Sequence, residues 1–163
     1  LAQAWGNEST HPERYAYVGS LCNLGILTQH DRHEYREAEA LYREALAANS
    51  SNVQSLLHLA TVLDVNLARP DEAEDFYKKA IEMDQFFAPA LYNYGGFLMH
   101  TRRDFDQSER LYEGALRIDP CNLNIMSSFA MLFLTGRRNP ERARQILTEM
   151  QELDRTHPAT EGL

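Results

Sequence analysis

Asn23, His58, Asn93 and Ser128 follow one another at intervals of 35 residues. Each side chain can donate and accept hydrogen bonds without a full charge, His58 being mostly neutral near pH 7. A ladder of such groups suits the backbone of an extended peptide, because one Asn amide can donate to and accept from a single peptide unit. Other residues invite other chemistry. His30 and His33 lie three apart beside Asp31 and Glu34, which are metal-ligand types. They straddle a helix end and a turn with no second pair, so no metal is expected. Arg32, Arg102-Arg103 and Arg137-Arg138 share a phase and suggest a basic stripe for an acidic partner or lipid headgroups. Leu67 and Ala68 interrupt it, and Glu34, Asp104 and Asp106 dilute it, so solvated turns are the expected reading. There is no Gly-x-Ser-x-Gly, no His-Glu-x-x-His and no phosphate-binding loop; Gly95-Gly96 lacks the strand such a loop follows. The chain is not expected to be an enzyme or to carry a cofactor.

The interval of 35 belongs to the whole chain. Leu21, Leu56, Leu91 and Met126 keep it, as do Leu24, Leu59, Tyr94 and Phe129, and Gly25, Ala60, Gly95 and Ala130. So do Ala38, Ala73, Ser108 and Ala143, then Tyr42, Tyr77, Tyr112 and Leu147. Four units follow without a gap: 18–52, 53–87, 88–122 and 123–157. Inside a unit the apolar positions recur at three- and four-residue spacing, the mark of helices. Asn139-Pro140-Glu141 predicts an N-cap, a Pro in the first turn and a favourably placed acid. Asp104-x-x-Gln107 predicts a capping box at the same phase. Pro120 and Pro158 follow helix ends. Each unit is therefore two antiparallel helices joined by a short turn, with small residues where the helices approach.

The net charge is −8, with 14 Arg and 2 Lys. Nucleic acid and anionic membrane surfaces are poor default partners for such a chain. Two distant cysteines, Cys22 and Cys121, make no disulfide framework and point to a reducing, intracellular and cytoplasmic setting. No apolar run approaches the roughly 20 residues that span a bilayer. The first-helix segments 18–30, 53–65, 88–100 and 123–135 hold no Lys or Arg, and Asp64 is their single acid. Packing of these helices against neighbours explains much of that neutrality, since unpaired charge is costly to bury.

The Leu91, Tyr94-Gly95, Leu98, Ser108, Tyr112, Ala115 and Asp119-Pro120 pattern, with its equivalents in the other units, resembles the tetratricopeptide repeat (TPR) family. The chain departs from that family's usual 34-residue repeat by one residue in every copy, in the turn between the helices. It also has Ser108 where the family prefers Ala, and Ser50, Gln85 and Arg155 where it prefers Pro. The resemblance implies an all-α, right-handed α-solenoid of four helix hairpins whose first helices line a concave groove. It implies that Cys22, Asn23, Ile26 and Gln29 point into that groove, then Leu57, His58, Thr61 and Asp64. Tyr92, Asn93, Gly96 and Met99 follow, then Ser127, Ser128, Met131 and Leu134. Asn23 and Asn93 match the asparagine ladder of some TPR grooves, whereas His58 and Ser128 do not. The cationic clamp that holds acidic chaperone tails is not expected, since Cys22, Ile26, His58, Pro89 and Asn93 stand at its positions.

These readings give an expected function. The chain would be a protein-interaction scaffold binding an extended, mostly uncharged protein or peptide segment, with a partner-binding groove of Asn23, Ile26, Leu57, His58, Tyr92, Asn93, Met99, Ser128 and Met131. The alternatives are a spacer or assembly subunit packing through its ends or convex face, and a pentatricopeptide-like RNA reader. The acidic balance and neutral first helices weigh against the last. The expected organisation is an irregular segment over 1–11, one repeat domain over 12–157 and a tail over 158–163. No amphipathic segment is evident beyond Leu153, so the last apolar face is expected to be exposed, covered by a partner or continued by further repeats in a larger chain or assembly.

Overall fold

A computed structural model describes residues 12–156, with side chains through 153; the expected irregular segment over 1–11 and the tail over 158–163 lie outside the described residues. Every regular element among them is helical: α1 (Pro12–His30), α2 (Tyr35–Ala48), α3 (Val53–Thr61), α4 (Pro70–Met83), α5 (Ala88–Phe97), α6 (Phe105–Ile118), α7 (Leu123–Met131) and α8 (Pro140–Thr156). Odd and even helices pair as hairpins, so the chain is an all-α solenoid of four such hairpins.

Local sequence accounts for the helix starts. Pro70 and Pro140 open α4 and α8, where a missing N–H is of no consequence. Asp104 accepts from the Gln107 N–H at 3.0 Å, and Asn139 Oδ1 from the Arg142 N–H at 3.1 Å, both at predicted caps. Asn52 and Asn122, not anticipated as caps, do the same for α3 and α7. Asn52 accepts from the Ser55 N–H at 2.8 Å, and Asn122 from those of Asn124 and Ile125, each at 3.2 Å. Tyr17 occupies that phase in the first unit, and α1 runs through it from Pro12, longer than its counterparts as expected.

α3, α5 and α7 widen into single π-turns, Val62–Asn66, Leu98–Arg102 and Leu132–Gly136. The Leu67 and Arg137 N–H groups reach back to the carbonyls of Val62 and Leu132, both at 3.0 Å. One wider bond recurs in all four units. Glu34, Arg69, Asp104 and Asn139 donate to Thr28, Leu63, Leu98 and Phe133 at 3.1, 2.8, 3.0 and 2.7 Å. The residues just before these donors, His33, Ala68, Arg103 and Arg138, have φ of 58°, 53°, 60° and 53°. None is Gly, so each turn closes at some steric cost.

Within hairpins the small residues permit close packing. Ala38, Ala73, Ser108 and Ala143 are fully buried, and the Ser108 hydroxyl donates to the Gly95 carbonyl at 2.8 Å. A serine thus replaces the family's alanine without leaving a buried hydroxyl unpaired. A Cβ on Gly25 would stand 2.6 Å from the Tyr42 ring, so that position must be Gly while Tyr42 keeps its place. Val18, Leu21, Ala45 and Ala48 form the apolar core of the first hairpin, with Tyr17 and Leu41 packed on it.

The helices gather into two compact units, Leu1–Asp84 and Gln85–Leu163. An array in which each repeat packs only on its neighbours has no common centre, and this one divides between its second and third hairpins.

Candidate partner-binding site

In the N-terminal unit, α1 carries Asn23, Ile26 and His30 at three- and four-residue steps, and α3 and its π-turn carry His58, Thr61 and Val65 at the same phases. None of the six is buried: Asn23, His30 and Val65 are exposed and the others half-buried. The His58 ring stacks on Tyr42 of α2, with centroids 5.6 Å apart and planes 16° from parallel. Burial, and then the nearby His30 charge, lowers the His58 pKa, so the imidazole is a neutral donor and acceptor near pH 7. Beneath this face, Tyr42 Oη donates to Gln29 Oε1 at 3.0 Å and Gln29 Nε2 to Asn66 Oδ1 at 3.2 Å. That chain ties the two hairpins together. Burial, chiefly, holds the Tyr42 phenol well above its ordinary range and pushes Tyr77 up to about 12, so both remain neutral.

In the C-terminal unit the same phases hold Asn93, Gly96 and His100 on α5 and its π-turn, and Ser128, Met131 and Thr135 on α7 and its π-turn. Again none is buried. The Ser128 hydroxyl donates to Tyr92 Oη at 3.3 Å, joining adjacent hairpins. The Tyr92 ring lies 6.1 Å from that of Tyr112. Asn93 Nδ2 donates to the Pro89 carbonyl at 2.8 Å within its own helix. That uses one amide N–H; the side chain has a second N–H and a carbonyl oxygen besides.

Two expected contact residues are core residues instead. Leu57 is 5% exposed and Met99 2%. Cys22 and Gln29, at the same phases respectively, are buried too, whereas Tyr92 and Ser127, and Asp64 and Leu134, are not. The open faces are therefore narrower than expected, and they include His30, Val65 and His100, which sequence reasoning did not place there, beside Thr61, which it did. Continuing the three- and four-residue steps from each ladder residue finds them.

The charged edges are neutralised. Arg137 pairs with Asp106 and, at 2.7 Å, with Glu109; Arg69 pairs with Glu72 and, at 2.7 Å, with Glu39. Arg102 and Arg103 lie over the rings of Phe97 and Phe105. Both cysteines are free, and burial pushes the Cys22 thiol up, with Ser55 opposing the shift, which makes it a poor nucleophile. Among the described residues no three His, Cys, Asp or Glu side chains gather to hold a metal ion, and no helix is long and apolar enough to cross a membrane.

Residues 18–49 and 53–87 each match the tetratricopeptide repeat family. The protein O-mannosyl-transferase Tmtc3 of Drosophila melanogaster is 30% identical over 116 residues, which are 71% of this chain and 12% of that protein. The type IV pilus assembly protein PilF of Pseudomonas aeruginosa is 27% identical over 147 residues, 90% of this chain and 56% of that one. The solved structure of PilF superposes with a TM-score of 0.79 at 23% identity, over 90% of this chain and 65% of that one. YrrB, described as a TPR protein with an unusual peptide-binding site, superposes at 0.69 and 21% identity, over 86% and 70%. The chain thus spans only part of the length of the curated relatives it matches.

Proposed function

As a member of the tetratricopeptide repeat family this chain is a protein-interaction scaffold, and we propose that it binds an extended, mostly uncharged peptide along the open faces of its first helices. One observation carries the reading. At the phase of Asn23, His58, Asn93 and Ser128 the repeat is never buried, and there it always places a neutral hydrogen-bonding side chain. On the neighbouring phases Cys22, Leu57, Leu59, Tyr94 and Phe129 are buried. Asn23 and Asn93 hold the peptide backbone, while His58 and Ser128 are oriented by Tyr42 and Tyr92. Ile26 and Met131 supply apolar contact beside them. A charged peptide tail gains nothing here, because a carboxylate would meet no cation at these positions.

The test is selection of binders from a displayed library of neutral peptides, followed by calorimetry with wild type and an Asn23→Ala/Asn93→Ala variant of unchanged helicity. At about 1 kcal/mol for each lost amide bond, affinity falls on the order of thirtyfold. Equal affinity for both proteins would remove the open faces from the function.

A further inference from the structure

The same junction is built differently in the two compact units, and in one of them it leaves a cleft. In the C-terminal unit Arg137 pairs with Asp106 and, at 2.7 Å, with Glu109. Two repeats earlier the same three phases hold Leu67, Arg36 and Glu39. Leucine is shorter and apolar, so no guanidinium fills the space there. A cleft of about 350 Å³ stands in its place, lined by Arg36, Glu39, Leu67 and Arg69. It shares Arg36 and Leu67 with a wider cleft of about 500 Å³, to which Tyr35, Glu34 and Glu37 contribute.

The charges of the narrower cleft do not balance. Glu39 is taken by Arg69 at 2.7 Å and by Arg43 at 2.9 Å, and Arg69 is held by Glu72 as well. Arg36 stands where the C-terminal unit has an acid, and among the described residues it has no hydrogen-bond, ion-pair or ring partner. The narrower cleft therefore combines two guanidinium groups, one carboxylate and an apolar side chain. What would complete it is an anion with apolar atoms beside it. We propose that this cleft docks a segment of a partner protein in which a single Asp or Glu adjoins an apolar residue. The ligand carboxylate pairs with Arg36, whose planar fork suits two parallel N–H···O bonds. The adjoining apolar side chain covers Leu67 and the Tyr35 ring. Glu34 and Glu37 of the wider cleft, whose side chains have no partner among the described residues, repel further acids, so a lone acid is preferred to a run of them. The site shares no residue with the open faces of the first helices and does not depend on their role.

The experiment is a heteronuclear NMR titration of the 163-residue chain with N-acetyl-Leu-Glu-amide, read at the Leu67 amide and the Arg36 Nε–H. N-acetyl-Leu-Gln-amide and sodium acetate are titrated beside it. The Glu peptide is expected to shift both signals saturably, and the Gln peptide to bind roughly tenfold more weakly, as for a hydrogen bond between charged groups. Arg36→Gln brings the Glu peptide down to the level of the Gln peptide, whereas Asn23→Ala/Asn93→Ala leaves its binding unchanged. An Arg36→Asp/Leu67→Arg double variant copies the arrangement of Asp106, Glu109 and Arg137, and it is expected to keep its helicity and lose the site. No shift of either signal at millimolar peptide overturns the proposal. So does equal binding of the two peptides, or undiminished binding by the double variant. Acetate that binds as well as the Glu peptide would make the cleft a bare anion site and remove the protein partner.

Discussion

Ala68 is the position at which the turn geometry is most simply tested. Its φ is 53°, its side chain is exposed, and it sits between the Leu67 N–H bond to Val62 and the Arg69 N–H bond to Leu63. A left-handed conformation costs an L-residue roughly 1–2 kcal/mol. Glycine avoids that cost, less part of what it loses in chain entropy on folding. Ala68→Gly is expected to stabilise the protein by about 1 kcal/mol, a rise in melting temperature of about 2–4 °C for a chain of this size. Ala68→Val, β-branched at positive φ, is expected to destabilise it. Arg103→Gly supplies the internal control. Its φ is 60°, but its guanidinium lies 5.0 Å from the Phe105 ring centroid. Losing that contact removes about 0.5–1 kcal/mol, so the two effects nearly cancel. Urea denaturation followed by far-ultraviolet circular dichroism reads all three. An Ala68→Gly protein no more stable than wild type, or an Arg103→Gly protein that gains as much as Ala68→Gly, would refute the reasoning.

Other outcomes follow from the same packing. Gly25→Ala drives a methyl to 2.6 Å from a Tyr42 ring held by Gln29; overpacking outweighs the helix-propensity gain, and the urea midpoint falls by the equivalent of about 1–2 kcal/mol. Gly95→Ala meets Tyr112 only at 3.2 Å, so its midpoint stays within about 0.5 kcal/mol of wild type. Asp104→Ala removes the cap of α6 and lowers stability by about 1 kcal/mol in the same assay. Because the His58 pKa is lowered on folding, the unfolded chain binds the proton more readily. Its contribution is complete above the unfolded value of 6.5 and is lost as pH falls through the folded value. A His58→Gln variant should show a flatter stability profile below pH 6.5 than wild type, and identical profiles would count against the buried, neutral imidazole.

Much of the fold can be read from spacing. Tyr42, Tyr77 and Tyr112 with Ala38, Ala73 and Ser108 mark the second helices, and Asp104 and Asn139 mark where two of them begin. The geometry of the turns, by contrast, was hidden. Left-handed turn positions are usually announced by Gly or Asn, and here they are His33, Ala68, Arg103 and Arg138. The candidate face was legible at Asn23 and Asn93 because they share a phase. Leu57 and Met99 were misread because an apolar residue on a first helix looks the same in sequence whether it lines a groove or fills a junction, and only packing separates the two. Division into two units leaves no compositional trace, since it reflects which hairpins pack together.

The wide backbone bond that closes every hairpin, Glu34 to Thr28 and its three equivalents, bears on how such a chain can be inherited. Recombination between any two copies of the repeat adds or deletes thirty-five codons and leaves every remaining hairpin with an intact closure. Length then changes in whole hairpins, each closed by its own turn, so a gene built this way can lengthen or shorten its product in single mutational events without opening a hairpin.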